Sequence, residues 1–228
     1  NILKGEDGRV VATFGPNTYV ENVEDMKQPR SNPISSRLIF VPTTIAESIE
    51  VLASDVPEMK KKILHLGWLQ AGRIVRTSEG VYVNAPIDRD EKELKKLLDK
   101  AKKVNGIYLV ENGKVKGLRD FGFAPYGSFK TGVLESGKFV EGGLARVLEH
   151  TENVKAKDLW VVSSKENYSR GVNVWGFEPA KMGEVLSRVA GLYSCNGSDE
   201  GRFGVVGEWY DDWGCGRDGF AFGVSMAS

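Results

Sequence analysis

"AKMGEVLSRVAGLY" runs from Ala180 to Tyr193. Met182, Val185, Leu186 and Val189 recur at three- and four-residue intervals, the spacing of one helix face. Read as a helix, the stretch follows a strand, "GVNVWGFEP" (171–179). Two more strands come after it, "GRFGVVGEWY" (201–210) and "GFAFGVSM" (219–226), joined by an acidic, glycine-rich turn. The last third is then strand–helix–strand–strand.

The middle of the chain has the same order. "RIVRTSEGVYVNAP" (73–86) reads as two strands around a turn at Ser78–Gly80. A helix is expected from Asp90 to Lys103, with Leu94, Leu97, Leu98 and Ala101 as its apolar stripe and Asp88 and Glu91 as a box-like cap. "GIYLVENGKVKGLRDFGFAPYG" (106–127) is expected to be a hairpin turning at Asn112-Gly113. A short helix, "GGLARVLEH" (142–150), and a strand, "DLWVVSS" (158–164), complete the pattern.

This gives βαββαβ over 79–163 and βαββ over 171–228, with Phe121 and Phe123 in one matched by Phe220 and Phe222 in the other. The fold class expected is α+β: two ferredoxin-like units with antiparallel sheets and helices on one face. Residues 1–78 form an N-terminal extension packed on the rest. In it "RVVATFG" (9–15) alternates like a strand, and "VEDMKQPRSNPISS" (23–36) looks irregular. "RLIFVPTT" (37–44) is a strand whose Thr43 or Thr44 caps the helix "IAESIEVLAS" (45–54), with Ile45, Ile49 and Leu52 on one side. These two elements are candidates to complete the second unit. Pro57 opens a further helix, "EMKKKILHLGWLQ" (58–70).

Arg119 to Tyr126, "RDFGFAPY", resembles the third-strand octamer of the RNA recognition motif family, basic–Gly–aromatic–Gly/Ala–aromatic–Val–x–aromatic. It matches at the basic, small and three aromatic positions, and departs at Asp120 (glycine in the family) and Ala124 (valine). "VYVNAP" (81–86) resembles the family's first-strand signature. The second copy keeps "GFAF" (219–222) but has Asn173 where the aromatic belongs, with Trp175 two residues on. The resemblance implies a non-catalytic protein that stacks unpaired RNA or other single-stranded bases on an aromatic sheet face. Tyr82, Arg119, Phe121 and Phe123 would bind in the first unit, supported by Lys114 and Lys116. Trp175, Phe220 and Phe222 would bind in the second.

Independently of any family, residues i and i+2 of a strand share a face. Phe121 and Phe123 therefore point one way with Arg119, and Tyr82 joins them if its strand is the neighbour. Such rings form a stacking platform when open to water, or a core when another layer covers them. In the second case the aromatic faces would bind other protein copies in an assembly, or simply be internal.

Totals and scattered motifs bound the alternatives. The chain has 228 residues, 41% hydrophobic and 27% charged, an ordinary globular composition with no apolar run near the ~18 residues of a membrane span. Formal charge is zero, so any nucleic-acid contact must use a local basic patch. The first residues lack a basic-then-apolar leader, and Asn1 in place of Met points to a missing start. A cytoplasmic protein without cofactor is expected. Scarce Gln and His with abundant Lys and Glu hint at a thermophile, where Cys195 and Cys215 could pair as a disulfide instead of remaining free thiols.

An enzyme on the same scaffold would be either RNA-processing or metal-dependent through acidic residues. Asp88 and Asp90 follow a strand, as metal-binding aspartates do in polymerase palms, although helix capping is the better explanation of them. Asp211, Asp212 and Asp218, with Glu208, crowd one glycine-rich turn that fits no EF-hand spacing. Cys215 lacks a neighbouring histidine, His65 sits on an apolar helix, and "VLESGKFVEGG" (133–143) is not a phosphate loop.

Overall fold

The computed structural model describes residues 2–4, 10–28, 38–54, 68–84, 92–104, 107–110, 112–116, 121–164, 167–194, 201–209 and 219–225. The chain begins with β1 (Ile2–Lys4), β2 (Val10–Asn17), α1 (Tyr19–Lys27), β3 (Phe40–Pro42), α2 (Ile45–Ala53), β4 (Trp68–Arg76) and β5 (Gly80–Asn84). It continues with α3 (Lys92–Asp99), β6 (Lys102–Val104), β7 (Ile107–Leu109), α4 (Asn112–Lys116), β8 (Phe121–Pro125), β9 (Gly132–Leu134), α5 (Ser136–Val140), α6 (Gly143–Leu148) and α7 (Lys157–Ser163). It ends with β10 (Val172–Trp175), β11 (Glu184–Ser194), β12 (Phe203–Trp209) and β13 (Gly219–Ser225).

The fold is mixed α+β, built on one large open sheet. Its main path runs β1-β2-β13-β4-β11-β12-β10-β9, with β3 on β13, β5 on β4, β8 on β5, and β7 on β11 carrying β6. The central ladder is antiparallel, β4 against β11 from Leu186↔Arg76 to Tyr193↔Trp68. Two pairs are parallel, β10 with β12 and β4 with β13. Strands from 1–78, 79–163 and 171–228 thus share one sheet.

The stretch 180–193 is the main correction. Glu184–Ser194 is an eleven-residue strand, not a helix. Its helix-like spacing arises because both faces of β11 are buried, so apolar residues need not alternate. Ala190 and Leu192 enter the largest core, while Val185 enters a second core on the opposite face. Odd-numbered residues from Val185 to Tyr193 therefore share that second face.

Other elements differ for related reasons. "DLWVVSS" contains α7: Leu159 and Val162, three apart, are buried while Trp160 and Val161 are exposed. Its first turn has no side-chain N-cap of its own; the Glu149 carboxylate accepts from the backbone N–H of Lys157 (2.8 Å) and Leu159 (3.0 Å) instead. Burial raises the pKa of that carboxyl. Asn112-Gly113 opens α4 rather than turning a hairpin, and β7 pairs with β6 and β11, not with β8. Part of the "irregular" N-terminal stretch is α1, started by a Thr18–Glu21 capping box. Strands β12 and β13 do not pair with each other. The βαββαβ order expected for two ferredoxin-like units is therefore not the order the chain adopts. Other expectations hold: Thr44 caps α2 with Glu47, β4 and β5 flank the 78–80 turn, and β3 docks on β13.

Helices cover both faces. On the first, Ile45, Ile49 and Leu52 of α2, Phe139 of α5, Leu144 and Leu148 of α6, and Leu159 and Val162 of α7 pack on Ile74, Val81, Val83, Val174, Leu192, Val205 and Phe222. On the second face, α1 closes a small core of Phe14, Met26, Phe40 and Ala221 at one end. At the other end Leu94 of α3, Val110 and Val115 of α4 close over Val75, Tyr82 and Val185. Segment 92–116 thus forms a lobe at this end, joined to the sheet by the pairing of β7 with β11 and by these side chains. Leu94→Ala should cost about 2–5 kcal/mol if the site cannot collapse. Urea unfolding measures that loss, and hydrogen exchange in 92–116 should accelerate more than in β11.

Candidate binding surface

The expected first-unit face forms as a set of residues but not as an open platform. Tyr82 pairs with Phe123 across β5 and β8, and their rings pack 4.5 Å apart. Tyr82, however, is only 5% exposed, because α3 and α4 lie over it, and this burial raises its phenol pKa. Phe121 is half-buried in the same core. Phe123, 37% exposed, lies over Gly80, where an added Cβ would come within 2.6 Å of the ring. Lys116 is an exposed lysine tied to Glu79 at 2.5 Å, and Lys114 is exposed beside it. Arg119 lies outside the described residues.

The second set does not converge. Phe222 is 1% exposed in the main core, and Phe220 packs against that core. Trp175 projects from the opposite face of β10, with three strands between β10 and β13. Phe222 is therefore corrected from a binding residue to a core residue. Phe220 and Phe222 do share a face of β13, and it is the face that the main core covers. Asp88, Asp90, Asp211, Asp212, Asp218, His65, Cys195 and Cys215 lie outside the described residues. Among the described residues no group of three or more His, Cys, Asp or Glu side chains could hold a metal ion. No helix among them is long and apolar enough to cross a membrane.

Trp175 instead joins two residues that sequence reasoning had assigned to helices, Trp68 and Tyr193. Trp68 starts β4 and is the cross-strand partner of Tyr193 near the end of β11. Their ring centroids are 4.0 Å apart, tilted by 34°. Tyr193 leans across β12 towards β10, where the Trp175 indole N–H donates to its hydroxyl at 2.6 Å. Trp68 and Tyr193 are half-buried and Trp175 is 36% exposed. The row crosses β4, β11, β12 and β10, roughly 14 Å at the usual strand spacing.

Glycines make the row possible. A Cβ on Gly204 would run into the Tyr193 ring, so this ring rests on β12 only because position 204 has no side chain. At Gly191 an added Cβ would press on Val206 at 2.8 Å and meet Trp68 only at an ordinary 3.7 Å. Alternating small and aromatic residues across neighbouring strands were the available signal; it needed the strand assignment of 184–194 to be visible.

Arg76 fixes the far end of the row. It is 3% exposed and donates to the carbonyls of Gly176, Glu178 (3.0 Å) and Gly207 (3.4 Å) and to the Glu208 carboxylate (3.1 Å). One guanidinium thus ties the turn after Trp175 to β12. Tyr126 adds a hydroxyl donor to the Glu178 carbonyl at 3.1 Å. Burial pushes the Tyr126 phenol up to about 12.

The row offers the ring faces of two indoles and a phenol. It is suited to holding the flat or apolar face of a ligand.

Two outcomes follow from this geometry. Gly204→Ala should destabilise the fold by about 1–3 kcal/mol by overpacking. Tyr193→Ala in the same chain should relieve that penalty, so a double-mutant cycle by chemical denaturation should give a clear coupling. Tyr126 has a folded pKa raised from 10.0 to about 12. Its stabilising contribution is therefore complete below pH 10 and is lost as pH rises through about 12. Phenolate absorbance and thermal melts should show this alkaline loss in the native chain, and Tyr126→Phe should remove that part of it.

No family model matches the chain, and no curated protein or solved structure matches it.

Proposed function

We propose that this chain is a non-catalytic nucleic-acid-binding protein that stacks unpaired RNA or other single-stranded bases on the Trp68–Tyr193–Trp175 row. The observation that carries the proposal is the packing of Tyr193 between Trp68 and the glycine floor of β12, with its hydroxyl held by the Trp175 indole. The accessible part of the row is the Trp175 indole, 36% exposed, with the half-buried rings of Trp68 and Tyr193 beside it. Every base has a π face, so stacking of this kind tolerates sequence and is worth about 1–3 kcal/mol per base.

The expectation from sequence is kept in kind and moved in place. Of the residues first singled out, Trp175 stays in the site and Phe123 remains an accessible ring outside it. The alternative of self-association draws on Val133, 54% exposed on the edge strand β9 beside β10.

Trp fluorescence titration with mixed-sequence single-stranded RNA at low salt tests the proposal. Binding should quench the tryptophan signal, and Trp175→Ala should weaken affinity by about 1–3 kcal/mol. Lack of binding by the native chain at low salt would remove the proposal. Concentration-dependent sedimentation without RNA binding would instead favour self-association.

A further inference from the structure

The formal charge of zero hides a strong separation. Segment 92–116 holds eight lysines and three acidic residues, so the lobe carries +5 and the remainder of the chain −5. This lobe comprises α3, β6, β7 and α4, and it closes on the same sheet face as the aromatic row. Strand β11 joins the two. Val185 lies under the lobe and Tyr193 lies in the row; Ser187, Val189 and Gly191 have the same parity and are buried between them, so strand β11 links the two places as a covered spacer. Eight residues of extended chain separate the ends by about 27 Å. Arg73 of β4 is on this face as well, with its guanidinium donating to the Ser187 hydroxyl at 3.1 Å.

Lysines of the lobe differ in their engagement. Lys96 pairs with Glu93 at 2.9 Å and Lys116 with Glu79 at 2.5 Å. Lys100, just after α3, and Lys102, in β6, are exposed and make no ion pair among the described residues.

We infer that the 92–116 lobe is the phosphate-contacting half of the binding surface, with Lys100 and Lys102 holding the backbone of a single strand whose bases reach the Trp68–Tyr193–Trp175 row. This rests on the base-stacking proposal and adds the polarity of the footprint. Two physical terms are divided between two places: ring stacking at one end of β11, and charge neutralisation at the other. The net negative remainder of the chain repels a polyanion elsewhere and steers it to the lobe. A footprint near 27 Å lies within the range of roughly 4–16 nucleotides occupied by single-strand binders.

The test compares the native chain, Lys100→Ala/Lys102→Ala and Lys100→Arg/Lys102→Arg. Each is titrated with an RNA strand of about 12 nucleotides and with a trinucleotide too short to span both ends. Each lysine–phosphate contact contributes about −0.7 to the slope of log K against log salt for single strands. The double alanine variant should bind the longer strand roughly tenfold more weakly, with a slope shallower by about 1.4. The arginine variant should keep the native slope, and trinucleotide quenching should be equal in all three. An unchanged slope in the alanine variant overturns this inference while leaving base stacking intact. A changed slope with affinity insensitive to Trp175→Ala overturns the shared surface, because the lobe then binds without the row. No binding of either RNA by the native chain removes both.

Discussion

The antiparallel ladder between β4 and β11 carries the rest of the molecule. It is the longest pairing in the sheet, and every layer is attached to it. Because β11 is buried on both sides, alternate residues of one strand anchor two separate hydrophobic layers. Ala190 and Leu192 hold the helices α2, α5, α6 and α7; Val185 holds the lysine-rich lobe; Tyr193 supplies the centre of the aromatic row. A one-residue slip of this ladder would exchange the two sets and disrupt both cores at once.

The same constraint explains how the sheet can present rings. A central strand normally has its face covered by side chains from its neighbours. Glycine at 204 removes one such side chain, and the Tyr193 ring takes its place. Gly80 does the same under Phe123. In each case a large ring on one strand covers a glycine on the next. Only the first case assembles three rings, because Trp68 and Trp175 flank it on β4 and β10. Arg76 then secures the turn after Trp175 with several carbonyl contacts, a use suited to a guanidinium's several donors in fixed geometry.

Much of the local structure was legible. Capping residues at Thr44, the β4–β5 turn, and the faces of Tyr82, Phe121 and Phe123 all follow from short-range rules and are present. Helix spacing misled at 180–193 because burial on both faces removes strand alternation, leaving Met182, Val185, Leu186 and Val189 to mimic a helix stripe. The error at 158–164 has the opposite origin: β-branched residues favour a strand locally, but Leu159 and Val162 pack as a helix under a cap supplied by Glu149. Both errors made the chain look like a repeated unit. The helix expected at 180–193 also hid Tyr193, and the one expected at 58–70 hid Trp68, which starts β4.

The sequence by itself determined which short segments are apolar, where several helices begin, and which neighbouring residues of a strand share a side. These depend on bond geometry and on contacts within a few residues. Tertiary structure alone decided which face each strand buries, which strands become neighbours, and therefore which rings meet. Trp68, Tyr193 and Trp175 are far apart in the chain, and Tyr193 rests on a glycine eleven residues on, across the strand boundary. Such a cluster has no local signature, because its free energy comes from surfaces that exist only after the ladder has closed.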